Sequence, residues 1–254
     1  MASSRRISGF AERRTKQDPC KDVELVQKDK DQNGDMYEEI KKQLASTNTK
    51  LVAVSKTKPT EEILKLYQKG HRVFGENKAQ ELTEKYETLP KDIEWHFIGH
   101  LQRNKVKYLA PFIAMLHAID SLRLLKEVNK QAKKNDRIIP CLLQFHIAEE
   151  ETKYGLDLTE AKEILESEAF QKMKNVQICG VMGMATYTDD EQQVKKEFDQ
   201  LGKIFAGLKA EYFSDNPAFK EISMGMSGDY PIAQKAGSTM VRIGTLLFGE
   251  RNYS

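Results

Sequence analysis

Cys20, Cys141 and Cys179 are the only thiols in this chain, and no two stand close enough to form a CxxC pair. A sparse, odd set argues against a disulfide framework and fits a reducing compartment such as the cytoplasm. Cys141 and Cys179 lie in apolar runs, where a thiol packs as a small hydrophobe. No stretch reaches the roughly 18 apolar residues that a membrane-spanning helix needs. A surplus of one charge is also missing, since 40 Lys and Arg face 38 Asp and Glu for a formal net charge of +2. That balance gives no reason to expect nucleic acid or an anionic membrane as partner. His71, His96, His100, His117 and His146 show no metal-ligand spacing, and GxSxG, Walker A and GxGxxG patterns are absent. His96 and His117 fall inside predicted strands and read as core histidines.

What is present is a cycle. From residue 35 to 250 apolar runs alternate with helical patterns, and no linker rich in Pro, Gly or Ser interrupts them. Met36, Ile40 and Leu44 form one face of a first helix, with Asp35 as its cap. The run 51–54 leads into a helix begun by Pro59, striped by Ile63, Leu64 and Tyr67, and closed by Gly70. Later helices start at Ser121, with Leu122, Leu125, Val128 and Ala132 facing inward, and near 190, with Val194, Phe198, Leu201, Phe205 and Leu208 at helical spacing. Eight strand candidates result. Alternating strands and helices imply parallel pairing, and eight units fit a single closed (β/α)₈ barrel of the common size of about 250 residues. An open doubly wound sheet is the alternative. The first 34 positions lack both an apolar signal core and the cycle. They are expected to be a disordered extension or an appended segment, with residues 35–254 as the one folded domain.

Barrels of this kind place their sites at the C-terminal ends of the strands. The first polar or glycine residues after each predicted strand are Lys56, Glu76 and Asn77, Gly99 and His100, Asp120, His146, Gly183, Ser227, and Arg242 with Gly244 and Thr245. Lys56, in "LVAVSKTKP", is either a solvated strand end or an amine held at a pocket rim. The neighbouring Lys58 would favour its uncharged form. The last two units carry "SMGMSGDYP" and "RIGT", which combine glycines, hydroxyls and following helix starts and so suit a phosphate. Arg242 either pairs with a buried carboxylate or faces a ligand. An amine, a phosphate cradle and an arginine around one mouth point to pyridoxal 5′-phosphate (PLP), whose aldehyde condenses with lysine. An arginine opposite the pyridine nitrogen would disfavour its protonation and weaken the ring as an electron sink.

The blocks "LVAVSKTKP", "FGEN" with "QEL", "WHFIGHLQRNK", "IDSL", "SMGMSGD" and "GSTMVRIGTLLFGERNYS" occur in one order, and from about residue 36 onward the chain resembles the PLP homeostasis protein family. The resemblance implies a fold-type III PLP barrel like the N-terminal domain of alanine racemase. It assigns Lys56 to the lysine that forms the Schiff base, Ser227, Gly244 and Thr245 to the phosphate, Arg242 to the pyridine nitrogen and Asn77 to the site wall. It implies a carrier that supplies PLP to apo-enzymes without robust turnover. Within "FHIAEEETKYG", which departs from the family's usual form, Lys153 is either a second amine for PLP or a solvated loop charge. The chain as given stops shortly after the last predicted strand, so the further domain with which a racemase completes its site is not expected. An open PLP face suits transfer. A racemase or lyase completed by oligomerisation is the alternative function, and an anion-binding barrel with Lys56 as a charge only is a third.

Overall fold

Residues 36–150 and 154–250 are described by the structure, a computed structural model. The expected extension over 1–34, the cap at Asp35, Cys20 and Lys153 lie outside the described residues.

Among the described residues eight strands form: β1 Lys50–Val54, β2 Val73–Glu76, β3 Glu94–Phe97, β4 Met115–Ile119, β5 Ile139–Phe145, β6 Val176–Gly183, β7 Glu221–Ser223 and β8 Met240–Ile243. Each pairs in parallel with the next, and β8 returns to β1 with Lys50 opposite Met240 and Ala53 opposite Ile243. This closure makes the (β/α)₈ barrel and removes the open-sheet alternative.

The helices are α1 (36–45), α2 Thr60–Gln68, α3 Ala79–Thr88, α4 Val106–Leu109, α5 Leu122–Lys134, α6 Leu158–Glu166, α7 Glu168–Gln171, α8 Glu191–Tyr212, α9 Tyr230–Lys235 and α10 Thr245–Phe248. Their starts follow the capping residues. Ser121 Oγ accepts from the Leu124 N–H at the head of α5, and Asp190 accepts from Gln192 and Gln193 at the head of α8. The buried stripe of α5 is Leu124, Leu125, Val128 and Ala132, so Leu124 takes the inward place predicted for Leu122, which is only partly buried. In α2 the buried residues are Ile63 and Leu66, while Leu64 and Tyr67 pack at the edge.

The main apolar core lies between the strands and the helix shell, and a smaller cluster of Ala118, Leu142, Cys179 and Met182 packs apart from it. Side chains alternate across a strand, so the cluster not shared with the helices faces the barrel interior. Cys141 and Cys179 are both buried free thiols, one in each cluster. Among the described residues no helix is long and apolar enough to cross a membrane.

Candidate functional site

Each strand delivers its last residues to the same end of the barrel, where a cavity of about 620 Å³ opens. Lys56, Asn77, Ser227, Arg242, Gly244 and Thr245 all line it. They come from the ends of four strands: β1, β2, β7 and β8.

Lys56 leaves β1 in a turn where Thr57 has φ 64 and the Lys58 N–H donates to the Ser55 carbonyl at 3.0 Å. Lys58 itself turns away, its Nζ donating to the carbonyls of Phe248 (2.7 Å) and Glu250 (2.8 Å). Its ammonium is thereby held at the end of α10.

Asn77 follows β2. Its Oδ1 is buried and has no hydrogen-bond partner among the described residues. A buried amide oxygen costs free energy until something donates to it, and this residue stands on the cavity wall. Gly99, after β3, makes the placement sterically possible. A Cβ there would stand 2.6 Å from the Asn77 carbonyl oxygen and 2.7 Å from its Cβ.

The β7 and β8 exits meet. Gly225 has φ 97 and lets the chain turn beneath α9, since a Cβ there would fall 2.6 Å from Ala233 Cβ. The Gly244 N–H donates to Ser227 Oγ at 3.3 Å, and Gly244 lies against Val54 at the end of β1. Hydroxyls of Ser227 and Thr245 and the Gly244 amide thus gather on one side of the cavity. The helices behind them have six and four residues, so local N–H groups and hydroxyls, more than a long helix dipole, make this an anion cradle.

Arg242 is buried, 4% exposed. It donates through Nη1 to Ser223 Oγ (2.7 Å) and through Nη2 to the Gly183 carbonyl (3.0 Å). Among the described residues no carboxylate lies within ion-pair distance of it, which removes the reading of a buried Arg–carboxylate pair. Burial pulls its pKa down to about 10, with Asp229 acting the other way. Behind it the bonds continue. Ser223 Oγ lies 3.0 Å from His117 Nδ1, and His117 Nε2 lies 2.9 Å from His96 Nδ1. A guanidinium only donates, so Ser223 accepts from Arg242, and its hydroxyl is bonded in turn to His117, whose other ring nitrogen is bonded to His96. β4 and β7 are not neighbours, so this chain crosses the barrel interior. Both histidines are neutral near pH 7, because burial holds His96 down to about 3 and His117 well below 6.5.

Other predicted strand-end residues serve different ends. Glu76 is fully buried and faces away from the cavity toward Lys85 and Ser55. His100 stands on the rim, paired with Asp120 at 3.2 Å and stacked on Tyr154 at 4.3 Å. His146 Nε2 lies 2.8 Å from the Glu150 carbonyl. Sequence reasoning did not name Gln144, Thr186 and Tyr187, which also line the cavity. The loop after β6 signals Thr186 and Tyr187 once the strand is followed past Gly183. Gln144 lies within β5 and has no such signal.

Residues 30–252 match the family described as alanine racemase, N-terminal domain. The pyridoxal phosphate homeostasis protein of Aquifex aeolicus is 42% identical over 205 residues, 80% of this chain and 88% of the relative. Its namesake from Homo sapiens is 39% identical over 223 residues, 83% of this chain and 80% of the relative. The structure of PipY from Synechococcus elongatus with PLP bound is 31% identical with a TM-score of 0.75, covering 86% of this chain and all of PipY. By these matches the chain belongs to the pyridoxal phosphate homeostasis protein family, within the wider alanine racemase N-terminal domain family.

Proposed function

We propose that this chain binds PLP at the barrel mouth through Lys56 and acts in cytoplasmic PLP homeostasis, holding the cofactor and passing it to apo-enzymes. The observation that carries the reading is the meeting on one cavity of a lysine, a buried arginine with no carboxylate at ion-pair distance among the described residues, and a cradle of hydroxyls and a glycine amide. PLP, when bound, supplies an aldehyde that condenses reversibly with a primary amine.

The residues divide the work. Lys56 supplies the amine. Ser227, Gly244 and Thr245 hold the phosphate, and the long Gly244–Ser227 bond yields its N–H to a phosphate oxygen. Arg242 uses Nη1 and Nη2 once each in the barrel, and one of its remaining N–H groups donates to the ring nitrogen. A donor of fixed positive charge keeps that nitrogen unprotonated, which limits the stabilisation of carbanions and favours holding over turnover. Asn77 Oδ1 accepts from the ligand or from a water bound with it.

Titration of the purified chain with PLP tests this. The expected result is a visible absorption band that grows to saturation in the wild type and is missing in Lys56→Ala. A wild-type chain that stays colourless under PLP overturns the reading.

A further inference from the structure

Beneath the turn that carries Lys56 lies a second lysine with no access to the cavity. Lys85, in α3, is 6% exposed. Its ammonium donates to the Ser55 carbonyl (2.7 Å), to Glu76 Oε1 (2.8 Å) and to Glu81 Oε1 (2.7 Å). An ammonium has three hydrogens, so all are used. The same two carboxylates reach the turn directly. Ser55 Oγ donates to Glu76 Oε1 at 2.6 Å, and the Thr57 N–H donates to Glu81 Oε1 at 2.6 Å. The residues immediately before and after Lys56 are therefore bound to one ionic cluster.

Two further observations set this cluster apart from an ordinary ion pair. Thr57 takes φ 64, a left-handed conformation that a β-branched residue holds only when its surroundings impose it. The bond from its amide to Glu81 is that constraint. Second, the cluster is costly to bury. Glu76 is fully enclosed, its Oε2 has no hydrogen-bond partner among the described residues, and burial pushes its carboxyl up against the pull of Lys85. Buried ion pairs add little stability over apolar packing, so a cluster of this kind is better explained by the geometry it imposes.

We propose that Lys85, Glu81 and Glu76 are positioning residues for Lys56: they fix the Ser55–Thr57 turn, and so the direction and reach from which the Lys56 amine meets an aldehyde. None of the three lines the cavity. The proposal rests on the reading of Lys56 as the amine that takes PLP. It predicts that the cluster governs the covalent part of binding and leaves the phosphate cradle alone.

The test uses Glu81, which stands at the edge of the cluster and is partly exposed. Glu81→Ala removes the acceptor for Thr57, whereas Glu81→Gln keeps an oxygen there. Two ligands are titrated into each variant: PLP, and pyridoxine 5′-phosphate, which lacks the aldehyde. Glu81→Ala is expected to weaken PLP roughly five- to tenfold, the size of one hydrogen bond, with pyridoxine 5′-phosphate unchanged and Glu81→Gln restoring much of the loss. Lys85→Met should show a larger loss of the same kind. If it does not fold, the Glu81 pair decides alone. Equal weakening of both ligands, or wild-type PLP binding in Glu81→Ala, overturns the proposal. Amide hydrogen exchange on the ligand-free chain separates it from the functional reading. Faster exchange at Thr57 in Glu81→Ala than in Glu81→Gln is expected even if the wild type takes no PLP, and equal exchange contradicts the proposed constraint.

Discussion

Arg242 would be an expensive residue to bury if its only partners were Ser223 and Gly183. A cation with no carboxylate at ion-pair distance among the described residues gains from a ligand atom that accepts one of its remaining N–H groups. The polar chain behind it has a measurable signature. His96 and His117 are held neutral by burial, and His71 is lowered to about 4 chiefly by burial as well. In the unfolded chain each titrates near 6.5, so below that pH the unfolded state binds protons that the folded state refuses. Their neutral forms stabilise the fold above pH 6.5, and that stability is lost as pH falls toward 4. The expected cost is roughly 1 kcal/mol per histidine for each pH unit in this window. Melting curves from pH 7 to pH 4.5 should show a steep fall in Tm, and His117→Asn should make it shallower, since asparagine keeps a donor and an acceptor near Ser223 without the titration. A wild-type Tm independent of pH across this range contradicts the assignment.

At the scale of elements, the loops after β7 and β8 shape the anion cradle, and their glycines carry different burdens. Gly225 combines φ 97 with a Cβ position 2.6 Å from Ala233 Cβ, so Gly225→Ala must both strain the backbone and push α9 away. A loss of about 1–3 kcal/mol of stability is expected, with weaker PLP binding because Ser227 shifts with the loop. Chemical denaturation and PLP titration of this variant check it, and an unchanged midpoint sinks the steric argument. These loops were legible in the sequence because glycine, serine and proline announce turns and helix starts. The placement of Lys56 and Asn77 was legible for a related reason, as a polar residue ending an apolar run in an alternating β/α chain. What periodicity could not separate was one inward position from its neighbour. Leu124 rather than Leu122 in α5, and a Glu76 that faces Lys85 instead of the cavity, both turn on a small rotation that tertiary packing decides. Bonds across the barrel were beyond reach altogether. Nothing in the spacing of His117 and Ser223, 106 residues apart, says that β4 and β7 face each other through the interior.

For the whole molecule, closure of β8 onto β1 is the decisive event. It sets Gly244 against Val54 and so brings the proposed phosphate cradle, formed last in the chain, beside Lys56, formed first. The mouth that results is open, with Tyr154, Tyr187 and Met226 exposed around it. Water reaches such a site, which suits reversible holding of an aldehyde and is poor for sheltering reactive intermediates. The account therefore stands on which amine in the closed barrel takes the cofactor. Borohydride reduction of the PLP-loaded chain, followed by peptide mass mapping, reads that directly. The account predicts the label on Lys56. Label on Lys58, Lys153 or any other lysine in its place, or none at all, would contradict it.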